Sequence, residues 1–161
     1  MRITIFVVLV ALSACAVSSG SNNAQKEPLV TLSAFKLVGE NDTMLLEMSE
    51  TGQIRQQMQE IGLIDILGSV HDASGKLIAR LQDNDFLENA DGKPLVKIGM
   101  DGTLDNGSGV PIYWSEDGTL VRGKETLGIR MLPQNSSARR AASIILFLYL
   151  ISDGPQIVPS T

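Results

Sequence analysis

Cysteine occurs once in this chain, at Cys15, and histidine once, at His71. A lone cysteine excludes an internal disulfide, and a lone histidine excludes the multi-histidine zinc sites. Aromatic residues are scarce, at 4% of the chain. No apolar run approaches the roughly 20 residues that carry a helix across a bilayer. Acidic residues outnumber basic ones, 18 against 13, for a net charge of −5. That balance disfavours a nucleic-acid partner and gives no attraction to anionic head groups. The sequence also lacks a Gly-x-Gly-x-x-Gly fingerprint, a phosphate-loop lysine and a Gly-x-Ser-x-Gly nucleophile elbow. No cofactor, metal or catalytic residue is therefore assigned.

What is present begins at the N-terminus. Met1-Arg2 gives a minimal positive segment, and Ile3 to Leu12 is apolar, followed by the small residues Ser13 and Ala14. An apolar run of about ten residues with small residues behind it has the layout of a cleavable secretory signal. Leu12-Ser13-Ala14-Cys15 resembles the lipobox of bacterial lipoproteins. The resemblance implies that Cys15 is acylated and that the chain is cut just before it. More than one acyl chain makes anchoring stable where a single one binds marginally. Val17 stands where a retention aspartate would hold a Gram-negative lipoprotein at the inner membrane, so the resemblance points to the outer membrane. The expected organisation is a signal over 1–14, the lipidated Cys15 and a flexible tether over 15–27, a β-rich domain over 28–152 and a tail over 153–161. The small polar residues from Ala16 to Lys26 bury too little apolar surface to order a tether.

The middle of the chain is punctuated by glycine turns. They are Ser74-Gly75, Asp91-Gly92, Asp101-Gly102 and Asp117-Gly118, with Thr51-Gly52 as a degenerate copy. Glycine accepts positive φ and aspartate bonds nearby amides, so these mark tight turns between strands. The runs between them alternate. Leu77, Ala79 and Leu81 share a face, as do Val96, Ile98 and Met100, then Val110, Ile112 and Trp114, then Leu127, Ile129 and Met131. A period of two predicts a half-buried antiparallel sheet. The spacing of the glycines is irregular, which favours a meander or small curled sheet or barrel over a strict solenoid. Tyr113 and Trp114 are predicted to point to opposite faces. Leu29 to Val38 reads as a strand, and Gln53 to Leu67 as a short helix because Ile54, Met58 and Ile61 fall at helical spacing.

Two candidate sites are weighed. Asp83-Asn84-Asp85 with Glu88 and Asp91 is acidic enough to suggest calcium. An EF-hand count back from Gly75, Gly92, Gly102 and Gly118, however, puts Val70, Leu87, Lys97 and Tyr113 at the first ligand position. His71-Asp72 could form part of a hydrolase triad, although a histidine beside a turn is ordinarily solvated.

Arg139-Arg140 precedes an apolar segment, Ala141 to Ile151, for which Ser136-Ser137 could supply a helix cap. Eleven helical residues reach about 16 Å, half of a hydrocarbon core. With apolar side chains on every face, the segment is expected as a C-terminal helix over 139–152 buried in the domain, with a membrane-interfacial helix as the rival.

Asp72-Ala73-Ser74-Gly75-Lys76-Leu77-Ile78-Ala79-Arg80-Leu81 resembles units strung together in uncharacterised lipoproteins of myxobacteria-like bacteria, over residues 45 to 152. That resemblance implies a β-rich surface lipoprotein and transfers no catalytic residue. The expectation is a mainly β, non-enzymatic outer-membrane lipoprotein with a structural or binding role. The partners expected are the membrane, through acylated Cys15, and another envelope protein or an apolar ligand. The rivals are a carrier of a small apolar ligand or lipid inside the curled sheet, and an envelope hydrolase built on His71.

Overall fold

The computed structural model describes residues 26–152. The signal over 1–14, Cys15, nearly all of the tether and the tail over 153–161 lie outside the described residues. The fold is mainly β, a closed antiparallel barrel of twelve strands with a single helix at its C-terminal end. The first strands are β1 (Phe35–Val38), β2 (Met44–Met48), β3 (Gln53–Gln56), β4 (Gln59–Ile64), β5 (Ser69–Asp72) and β6 (Leu77–Leu81). There follow β7 (Phe86–Asn89), β8 (Pro94–Ile98), β9 (Leu104–Asp105), β10 (Ile112–Trp114), β11 (Thr119–Arg122) and β12 (Glu125–Leu132). Each strand pairs with the next, and β1 closes the ring on β12 through Lys36–Leu132, Leu37–Met131 and Val38–Arg130. Closure removes the unpaired edges that an open meander would leave.

Alternation decides which face looks inward. Leu37, Leu46, Ile54, Val70, Ala79, Leu81, Leu87, Val96, Ile98 and Trp114 are buried. Their outward neighbours carry charge in complementary register. Glu47 sits opposite both Lys36 and Arg55, Arg80 opposite Glu88, and Lys97 opposite Asp105. Such cross-strand pairs favour one register over its neighbours.

An eight-stranded barrel is just filled by side chains, whereas wider ones leave a lumen. Here the lumen receives α1 (Arg139–Ile151), a cylinder about 10–12 Å across with its side chains. Its residues Arg140 to Leu146 are all buried. Leu46 and Val70 of one wall and Leu104 and Leu120 of the opposite wall join the same core as Ile144, Ile145 and Leu146. The apolar helix is therefore core, held inside the sheet rather than against one face of it. Asn135, not Ser136 or Ser137, caps the 3-10 turn that leads into it, accepting from the Ser137 amide and hydroxyl.

The turns alternate between the two ends of the barrel, and the ends differ. At one end the left-handed residues are Gly52, Gly68, Asp85, Gly102 and Gly118, 16 or 17 residues apart. The Gly52, Gly68, Asp85 and Gly118 carbonyls accept from Ile64, Leu81, Ile98 and Met131 amides at 2.8–2.9 Å, so these turns lean onto the neighbouring hairpin. Leu29 and Val30 donate to the Ile66 carbonyl at the same end, and Val30 is buried. That end is sealed. A Cβ on Gly102 would come within 2.6 Å of the Arg139 carbonyl, so the seal and the helix entrance require glycine there. At the other end Gly75, Gly92, Gly107 and Gly109 have nothing within 4 Å of an added Cβ, and α1 emerges with Leu150 and Ile151 exposed.

Three expectations are corrected. Gln53 to Leu67 is the β3–β4 hairpin, not a helix, because Gln57 and Met58 both take positive φ and reverse the chain. The strand expected from Leu29 begins only at Phe35, since Leu29 and Val30 instead cover the sealed end. Met100 does not extend the β8 face; it sits exposed in the turn before Gly102.

Candidate functional site

The first local feature is the turn chemistry. Asp72 accepts from the Ser74 amide and hydroxyl and from the Lys76 amide. Asp101 accepts from the Thr103 amide and hydroxyl, and Asp117 from the Ser115 hydroxyl and the Thr119 amide. These bonds hold all three carboxyls below their ordinary value of 3.8. The Ser74 hydroxyl leads at Asp72, the Thr103 amide at Asp101 and the Ser115 hydroxyl at Asp117. Hydrogen bonds to the charged form lower a carboxyl pKa in this way. A group whose pKa is lower in the folded than in the unfolded chain stabilises the fold above its unfolded value and ceases to do so as it protonates. The urea midpoint should therefore drop as pH falls below about 4, and less steeply in Asp72→Asn/Asp117→Asn, whose amides cannot titrate. Equal slopes in the two proteins would show that these turns do not contribute to acid sensitivity.

The acidic run proposed for calcium is dispersed. Asp83 pairs with Lys26 at 3.1 Å, the Asn84 side chain accepts from the Phe86 amide, and Glu88 accepts from Gln82. Asp85 turns inward to Arg140. Among the described residues no group of three or more His, Cys, Asp or Glu gathers where it could hold a metal.

Nor are His71 and Asp72 brought together as catalytic partners. Asp72 faces its own turn, and His71 Nδ1 is buried with no partner. In a triad the carboxylate would accept from that nitrogen.

Sequence reading passed over the interior polar residues. Arg140, 3% exposed, donates to the Leu29 and Ile98 carbonyls at 3.1 and 3.0 Å, to the Met100 sulfur and to the Asp85 carboxylate. Ser143 accepts from Trp114 Nε1 at 2.8 Å and donates to the Gly102 carbonyl at 2.5 Å. These bonds fasten the helix entrance to the sealed end. Trp114 is thus the inward member of the aromatic pair, while Tyr113 is 38% exposed.

Fastened at one end, the helix leaves space beside it at the other. A cleft of about 330 Å³ lies between its C-terminal half and the wall formed by β2 to β6, lined by Leu46, Ile54, Val70, His71, Leu148 and Tyr149 among others. A second cleft, about 220 Å³, lies on the far side against Leu104, Ile112, Leu120 and Phe147. Burial holds the Tyr149 phenol above its ordinary 10.0, so it remains protonated. No known protein family, curated protein or solved structure matches this chain.

Proposed function

We propose that the chain is a lipoprotein of the bacterial outer membrane, anchored through acylated Cys15, whose barrel has a non-enzymatic binding or structural role in the envelope. The observation that carries the role is the use made of the buried polar side chains. Arg140 and Ser143 are engaged in fastening the helix to the sealed end, and the solvent-facing Asp72 closes its own turn instead of meeting His71. The anchor rests on Cys15, the only cysteine, closing Leu12-Ser13-Ala14. The described chain starts at the sealed end, where Lys26 pairs with Asp83. Eleven peptide steps from Cys15 to Lys26 reach about 40 Å at full extension. The sealed end is then the end tied to the bilayer, and the open end with its clefts is free to meet other envelope components.

Cys15→Ser is expected to leave the protein unacylated and uncut, as read by intact mass and detergent partitioning. A wild-type protein that matures elsewhere and carries no acyl mass would refute the anchor. The rival, a small apolar ligand or lipid carried inside the curled sheet, is confined to the space that α1 leaves beside it.

A further inference from the structure

The cleft beside α1 has the attributes of a site rather than of a gap in packing. Its floor is apolar, with Leu46, Ile54 and Val70 from the wall and Ile145 and Leu148 from the helix. Leu46, Ile54, Val70 and Ile145 are themselves nearly inaccessible, so the apolar surface left to cover belongs to Ile61, Ile78 and Leu148, and covering it is favourable by about 25 cal/mol per Å². Its volume falls at the small end of the roughly 300–1,000 Å³ range of ligand pockets. The polar lining is confined to Gln56, His71, Tyr149 and Ser152, with no carboxylate, lysine or arginine. The Ser152 hydroxyl already donates to the Leu148 carbonyl. The far-side cleft, smaller and polar only at Asn106, lacks such a set.

This combination selects a chemistry. An ionised head group buried here would find no opposite charge, and burying an unpaired charge is costly. A hydroxyl, amide or ester can exchange hydrogen bonds with neutral side chains. We propose that the cleft between the C-terminal half of α1 and strands β2 to β6 binds a neutral-headed, single-chain amphiphile. Its chain lies on Ile61, Ile78 and Leu148, above the buried Leu46, Ile54 and Val70, and Gln56, His71 and Tyr149 supply the polar contacts. This inference deepens the binding role proposed above and does not depend on the anchor.

The test uses the full-length protein as isolated, acylated or not, with a diazirine-bearing analogue of 1-dodecanol as photoprobe. Labelled peptides are mapped by mass spectrometry, while intact mass separately reports the state of Cys15. Labelling is expected to saturate and to concentrate on peptides containing Ile54 to Gln56, Val70-His71 and Ile145 to Tyr149. Unlabelled 1-dodecanol should suppress it at a concentration at least tenfold below that needed of dodecanoate at pH 8. Ile61→Trp, which projects bulk from the cleft lining, should reduce labelling about tenfold. Tyr149→Phe should weaken competition by dodecanol about threefold to tenfold, the worth of one hydrogen bond. Labelling that does not saturate, that spreads evenly over the outer wall, or that ignores both variants would overturn the site. Equal competition by dodecanoate would overturn the neutral head group. Either result leaves the anchor standing or falling on the acyl mass alone.

Discussion

Leu146→Asp is expected to leave the chain without a cooperative unfolding transition. Leu146 is fully buried inside the barrel, in one core with Val96, Leu104 and Leu120. Truncating such a leucine typically costs about 2–5 kcal/mol, and an unpaired carboxylate in its place adds several more. A domain of this size holds about 5–15 kcal/mol in total. Truncation before Arg139 removes the lumen's contents altogether and should have the same result. Leu150→Asp is the control, since Leu150 is 58% exposed at the open end and should leave the melting temperature within a few degrees. Near-ultraviolet dichroism and size-exclusion profiles would read the difference. A folded, soluble Leu146→Asp protein would show that the barrel stands without its helix.

The second large effect is expected at the Arg140–Asp85 pair. Arg140 is nearly inaccessible and its guanidinium meets one carboxylate, so removing that carboxylate strands a buried charge. Breaking such a pair from one side typically costs about 3–5 kcal/mol. Asp85 also sits at φ 70, a conformation that suits glycine better. Asp85→Ala should lose the ion pair and keep the strain. Asp85→Gly should lose the pair but recover about 1 kcal/mol of it, and so be the milder change. Adding Arg140→Leu to Asp85→Gly should cost less than the sum of the two single changes, because the charge left unpaired is then gone. Denaturant midpoints of the four proteins decide the matter. Additivity would mean that the two side chains are independent, and that the carbonyls of Leu29 and Ile98 alone hold the arginine.

The alternating runs made the barrel wall legible, because Leu77, Ala79 and Leu81 or Val96 and Ile98 can face only one way along a strand. The helix was legible too, since an apolar segment covering all faces has to be enclosed. The regularity of the turns was hidden by their alternation between ends. Gly75, Gly92 and Gly102 look unevenly spaced, yet Gly75 and Gly92 belong to the open end and Gly102 to the sealed one. Within each turn the side chain that accepts the amides is often three residues before the glycine, as at Asp65, Asp72 and Asn89, rather than the residue just before it. Asp85 reads from sequence as part of an acidic cluster because only its spacing of 17 residues from both Gly68 and Gly102 exposes it as the turn residue that replaces glycine. Helical spacing at Ile54, Met58 and Ile61 misled because two left-handed residues in succession outweigh periodicity. The cleft had no sequence signal, since it draws on several strands and the last turns of the helix.

The filling of the barrel by its own final segment has a kinetic consequence. A ribosome or translocation pore delivers Phe35 to Val38 first, yet these residues cannot complete their pairing until Arg130 to Leu132 arrive. The helix that makes the inward side chains worth burying emerges later still. The fold cannot therefore close before its last strand and helix are made, and the closing contacts join residues 92 to 96 apart in sequence. Every other pairing is between consecutive strands, so this one distant closure is the step expected to be slow. A partly delivered chain stays open and threadable, so commitment to the native state is timed by the arrival of the last helix.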